Sequence, residues 1–169
     1  AGQFVVLDGD RIAAATSTIR RHVDFDHPHH TFADIIQGGW LTSHQPDGRW
    51  LYGCDLGVHP DYRGRGLARA LYAARHRLVQ SLGLEGQVTA GMISGYGAVK
   101  ERIGPEQYLE EVRAGRVTDP TLSMQLSVGF EVRCLLPNHL HDPLSGNHSV
   151  LITLPATTLV RDLSAAKPQ

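Results

Sequence analysis

The stretch Leu56-Gly57-Val58-His59-Pro60-Asp61-Tyr62-Arg63-Gly64-Arg65-Gly66-Leu67-Ala68 decides how the chain reads. On its amino side, Trp50–Val58 is a long apolar run that predicts a strand, with Pro60 just beyond its end. On its carboxyl side, Leu67, Ala70, Leu71, Ala74, Leu78, Val79 and Leu82 recur at three- and four-residue spacing. That pattern predicts a helix over Gly66–Leu82, with Gly83 at its end and Arg69, Arg75, Arg77 and Gln80 largely on the other side of the wheel. A basic, glycine-containing loop therefore runs straight into a helix amino end. Such an end presents unpaired N–H groups and a partial positive charge. Glycine lets a ligand approach the backbone closely, and two guanidiniums add charge beside the donors. The sum suits a phosphate or pyrophosphate, against the alternative of an ordinary strand-to-helix turn with solvated arginines.

Outward from this point the chain alternates types. Phe4–Leu7 and Arg11–Ile19 predict a hairpin across the turn signal Asp8-Gly9-Asp10. His22–His30 reads as a polar loop, and Thr31 as the cap of a short helix to Ile36 that Gly38-Gly39 ends. Gln87–Ile93 reads as a strand. Pro105–Arg113 reads as a short helix with proline in its first turn, and Asp119-Pro120 as the start of another ending at Val128-Gly129. Phe130–Leu136 and His148–Leu154 read as the last strands, and Arg161–Gln169 as a frayed tail. The order implies a mixed α/β fold with a mostly antiparallel sheet.

Composition narrows the function classes. The 169 residues are 41% hydrophobic and 20% charged, which suits one globular domain. No run approaches the roughly 18 apolar residues of a membrane span, and the amino end lacks the layout of a signal peptide. A net charge of −1 leaves no large basic footprint for nucleic acid. Cys54 and Cys134 sit in apolar runs and read as reduced, buried thiols of a cytoplasmic protein. His27, His29 and His30 with Asp24 and Asp26 fit no specific zinc spacing, so no metal is expected. Trp40 and Trp50 read as packing residues.

Val58-x-Pro60-x-x-Arg63-Gly64-Arg65-Gly66-x-Ala68 resembles the acetyl-CoA signature of the GNAT superfamily of N-acetyltransferases, here Arg63-x-x-Gly66-x-Ala68 after a strand ending in Val-x-Pro. The hairpin resembles that fold's second and third strands, Trp50–Val58 its fourth, Gly66–Leu82 its third helix and Gln87–Ile93 its fifth strand. Asp119–Phe130 resembles the fourth helix and the Gly-Phe opening the sixth strand. Asp119-Pro-Thr-Leu-Ser and Val132–Asn138 resemble a GNAT subgroup sometimes joined to a carbon–nitrogen hydrolase domain. The resemblance implies a GNAT-like domain over 1–160 that lacks the first strand and first two helices, followed by a tail. It implies acetyl-CoA as cosubstrate, with Leu56 and Val58 pairing with pantetheine where the fourth and fifth strands splay. Arg63, Gly64, Arg65, Gly66, Leu67 and Ala68 would hold the pyrophosphate. A small-molecule or peptide amine would attack the thioester directly, a backbone N–H near Val58 would stabilise the oxyanion, and Asp55 would take the amine proton.

Three departures stand beside this. The missing elements usually shape the acceptor side, so exposed apolar surface and self-association are expected. Gln125 falls where many GNAT enzymes carry a tyrosine that protonates the leaving thiolate, and an amide cannot be that acid. Tyr96 and Tyr108 are the alternatives, and His59 flanks the motif. Ser94–Thr118 is a long insertion. A CoA-binding or sensing domain without turnover is the alternative function.

Overall fold

The computed structural model describes residues 2–159; the tail expected over Arg161–Gln169 lies outside the described residues. The order is β1 (Phe4–Asp8), β2 (Arg11–Arg21), α1 (Phe32–Ile36), β3 (Trp50–Val58), α2 (Leu67–Ser81), β4 (Gly86–Met92), α3 (Pro105–Arg113), α4 (Leu122–Val128), β5 (Glu131–Leu136) and β6 (Ser149–Pro155). These are the elements expected from the sequence, with ends shifted by at most three residues. The strands form one sheet in the order β1-β2-β3-β4-β6-β5. The described chain divides into two compact units, one of residues 2–22, 44–88 and 155–159, the other of residues 23–43 and 89–154.

In the first unit β1 and β2 form an antiparallel hairpin whose turn needs Gly9 at φ 58. β2 pairs antiparallel with β3, and the register shifts between Ser17, opposite Asp55, and Thr18, opposite Gly53. Cys54 is thus the extra residue of a bulge in β3. α2 lies against β1, β2 and β3. Leu51, Val79 and Leu84 pack together, joined by Leu78 and Ala156. Each such buried side chain contributes about 1.5–3 kcal/mol. Val5, Leu7 and Ile12 stay exposed on the hairpin.

In the second unit Thr31 and Asp34 form a reciprocal capping box on α1, and Gln37 ends it in the left-handed region. The Phe32 N–H donates to the His139 carbonyl at 2.7 Å, tying α1 to the loop before β6. Asp119 caps α4 by accepting from the N–H groups of Thr121 (2.8 Å) and Leu122 (2.7 Å). Its other oxygen accepts from the Gly95 N–H and the Tyr108 hydroxyl, both at 2.9 Å. β5 and β6 are antiparallel, and β6 is buried along its length from Ser149 to Leu154.

Three sequence expectations are corrected. Arg75 is buried rather than solvated, at 2% exposure. Trp40 is 84% exposed and does not pack in a core, because Gln37, Gly38, Gly39 and Leu41 all take positive φ and turn the chain outward. Cys134 is only half-buried, since it lies on β5, at one end of the sheet order.

Candidate acyl-CoA site

The loop that opens α2 is built from two left-handed glycines. Gly64 has φ 74 and Gly66, the N-cap, has φ 78. Arg63 before them is extended, at φ −65 and ψ 159. Nothing lies within 4 Å of a Cβ built at either glycine, so conformation, not crowding, calls for glycine there. Backbone that enters the left-handed region twice before a helix turns its N–H groups toward a shared concavity, as in anion-binding loops. No side chain caps α2, and its first turn holds no acidic residue. The first intrahelical bond runs from Ala70 N–H to the Gly66 carbonyl at 3.1 Å. The N–H groups of Leu67 and Ala68 precede that bond at the open end of the helix.

Tyr62 anchors the loop. Its ring is buried, and its hydroxyl donates to Asp8 Oδ2 at 2.7 Å, linking the loop to the end of β1. The Arg65 guanidinium sits over that ring at 5.0 Å and donates to the Asp61 carbonyl at 3.0 Å. Arg11 approaches the same ring at 5.9 Å and pairs with exposed Asp61 at 3.7 Å. Arg63 and Arg65 are both exposed. Positive charge thus gathers at a helix amino end that lacks acidic residues of its own.

β3 supplies the second part. His59 N–H donates to the Ala13 carbonyl at 2.9 Å, in the same register as Ala15 opposite Gly57. Pairs two residues apart in an antiparallel ladder share bonding type. The polar groups of Gly57 therefore point at β2, and those of Leu56 and Val58 point to the other edge of β3. Asp55 is exposed one position before, and its Oδ1 accepts from the Ser17 N–H at 2.6 Å. The structure thus brings the loop, Leu56, Val58 and Asp55 onto one continuous segment from the β3 bulge to the first turn of α2.

A family model described as acetyltransferase (GNAT) family matches residues 3–92, spanning both β3 and the loop. YkwB of Bacillus subtilis (strain 168), described as an uncharacterized N-acetyltransferase, is 32% identical over 151 residues, which are 89% of this chain and 67% of that protein. The chain belongs to the GNAT acetyltransferase family. A further relative is the probable hydrolase YhcX of the same organism, 35% identical over 142 residues. The match spans 83% of this chain but only 28% of YhcX. Among solved structures, the GphF GNAT-like decarboxylase in complex with isobutyryl-CoA shares the fold, with a TM-score of 0.75 at 20% identity. That match covers 92% of this chain and 78% of the other.

GNAT membership gives acyl transfer as the general chemistry and sharpens what the other residues do. Gln125 is buried in α4, and a Cβ built at Gly91 of β4 would fall on its amide. Tyr108 is buried and donates to Asp119; burial and that bond raise its pKa, so it holds its proton. Tyr96 donates to the Ile103 carbonyl at 3.3 Å, and burial raises its pKa too. His59 is an exposed turn residue whose Nδ1 accepts from the Asp61 N–H at 3.3 Å. Burial, then the charge of Asp55, pushes the Cys54 thiol up to about 11, which leaves it a poor nucleophile. Among the described residues no three His, Cys, Asp or Glu side chains gather in a metal-binding group, and no helix is long and apolar enough to cross a membrane. Sequence reasoning missed Tyr62 and Arg75. Tyr62 follows an aspartate in a polar run, and nothing local marks it as an anchor.

Proposed function

We propose that this GNAT chain binds acetyl-CoA through the Arg63–Ala68 loop and transfers the acetyl group to an amine by direct attack. The observation that carries the reading is the uncapped amino end of α2, opened by two left-handed glycines between arginines. The residues fit the group: an anion finds helix N–H donors, and its approach crosses open space at Gly64 and Gly66. Backbone N–H groups from Gly64 to Ala68 hold the pyrophosphate, with Arg63 and Arg65 beside it. Leu56 and Val58 offer their outward polar groups to the pantetheine amides.

Acetyl-CoA, when bound, supplies the thioester carbon that the amine attacks. A C–N bond forms and the C–S bond breaks. The CoA sulfur leaves with the electron pair and takes a proton from solvent. The proton lost by the amine passes to Asp55, directly or through water. A backbone N–H near Val58 meets the oxyanion. The unreactive Cys54 thiol supports direct attack over an acyl-enzyme. A small-molecule or peptide amine is the acceptor class, and exposed Val5, Leu7 and Ile12 support self-association. One observation favours a second reading, CoA binding without turnover: the Tyr96 and Tyr108 hydroxyls are committed to Ile103 and Asp119, and the Gln125 amide is no acid.

The test is calorimetric titration with CoA and acetyl-CoA, followed by thiol release from acetyl-CoA across a panel of amines. Binding with turnover supports transfer, binding with none across the panel favours the second reading, and no binding rejects both.

A further inference from the structure

Arg75 sits on the buried face of α2, between Leu71 and Val79, and is among the largest fully buried side chains. Its guanidinium reaches across to the bulge where β2 and β3 lose register. Nη2 donates to the Thr16 hydroxyl, to the Asp55 carbonyl, and to the Ser17 carbonyl at 3.3 Å. The Tyr72 ring lies 5.4 Å from its Cζ. A Cβ built at Gly53 would fall on the guanidinium, so the strand leaves a side chain out to admit it. Its Nε is buried with no hydrogen-bond partner.

The local ladder is rebuilt around this group. Ser17 and Asp55 stand opposite each other, where an antiparallel pair would exchange N–H and carbonyl bonds. Instead the Ser17 N–H goes to the Asp55 carboxylate. The Asp55 carbonyl is taken by the Thr16 hydroxyl at 2.5 Å and by Arg75. Among the described residues no carboxylate oxygen lies within ion-pair distance of Arg75. Arg75 is therefore a buried cation held by a hydroxyl and two carbonyls, with the charge of Asp55 favouring it from beyond ion-pair distance, where an apolar side chain of similar length would pack without the desolvation penalty.

We infer that Arg75 is a positioning residue for acyl transfer: it fixes the course of Asp55–Val58 after the bulge and sets a positive potential beneath that segment. The inference rests on the proposal that this segment receives the acyl-CoA thioester. As the amine–carbon bond forms, the carbonyl oxygen gains negative charge until the C–S pair departs with sulfur. A fixed cation in a water-poor surrounding stabilises that charge at no cost in reorganisation. The carbonyl of Asp55 is the relay, since Arg75 reaches the strand through it and not through the ligand.

The experiment compares the full chain with Arg75→Met, Arg75→Lys and Gly53→Ala. Three quantities are read: acetyl-CoA affinity by calorimetry, the carbonyl infrared band of bound [1-13C]acetyl-CoA, and kcat against KM with an accepted amine. For Arg75→Met we expect acetyl-CoA affinity within threefold, a carbonyl band moved back toward its position in water, and kcat lower by roughly 10-fold or more, the usual worth of one bond to a charged group. Arg75→Lys restores most of both losses. Gly53→Ala displaces the guanidinium tip from the strand side, so it decides the matter if Arg75→Met does not fold. An unmoved carbonyl band with kcat within threefold overturns the inference. So does a Lys variant as impaired as Met, or a loss that vanishes when rates are corrected for folded protein. Failure of the unaltered chain to bind acetyl-CoA overturns the site reading instead, and is seen in the first titration.

Discussion

Gly66 and Gly83 stand at opposite ends of α2 and form a matched pair. Both are left-handed, at φ 78 and φ 62, and both have open space where a Cβ would go. Alanine at either position therefore meets no packing clash and carries only backbone strain, about 1–2 kcal/mol. For a domain of this size each kcal/mol lowers Tm by about 2–4 °C, so the two variants should melt a few degrees below the parent and close to one another. Their ligand behaviour should differ. Only the methyl at position 66 enters the concavity formed with the N–H groups of Leu67 and Ala68. Displacing one charge-assisted bond to the pyrophosphate, worth about 1.5–3 kcal/mol, weakens CoA roughly 10- to 150-fold. Gly83→Ala should bind as the parent does. Melting by circular dichroism and titration of CoA by calorimetry on the same samples give both numbers. Equal CoA affinity in folded Gly66→Ala and Gly83→Ala would refute the placement of the pyrophosphate.

Asp55→Asn keeps an acceptor for the Ser17 N–H, so folding should hold while turnover falls by roughly 100-fold, the usual range for a lost general base; normal steady-state rates would remove Asp55 from that role. Tyr108→Phe takes one buried donor from Asp119 and should lower unfolding free energy by about 1–3 kcal/mol in urea without touching CoA affinity; a CoA effect would mean that the hydroxyl reaches the ligand. Burial lowers the pKa of His76 and of His139 below the ordinary histidine value. The unfolded chain then takes up these protons at higher pH than the folded one, so stability is full above the unfolded pKa and falls as pH drops through about 6.5 and below. The exposed pairs of Asp24 and Asp47 with histidines hold those carboxyls below 3.8, so their loss belongs to a more acid window. A flat Tm between pH 7 and 5 would count against neutral, buried His76 and His139.

The loop was legible because each of its signals is local. Two glycines, two arginines and a proline lie within seven residues, and the helix that follows repeats at its own period. Thr31 and Asp119 were legible as caps for the same reason, since a cap reaches only two or three residues along the chain. Arg75 was not, because a helical wheel assigns charge to solvent and cannot see a bulge 20 residues upstream. That bulge offers a carbonyl at Asp55, and Gly53 offers the space. Asp55 is legible as a carboxylate on a strand that could take the amine proton, but its bond to Ser17 depends on the same bulge. Trp40 followed the rule that large aromatic residues pack, yet it comes after three consecutive positive-φ residues that lead the chain away from any core.

The contact between Gly53 and Arg75 also constrains the order in which this sequence can change. A side chain at position 53 collides with the guanidinium, while a shorter residue at position 75 leaves the space beside Gly53 vacant. The two positions should therefore be strongly non-additive, each change harmful alone and less so once the other has been made. A descendant that loses the arginine first passes through a core with a void. One that gains the Cβ first passes through a core with a displaced cation. Both routes take the guanidinium from the Asp55 carbonyl, so either intermediate is impaired until the second change is made.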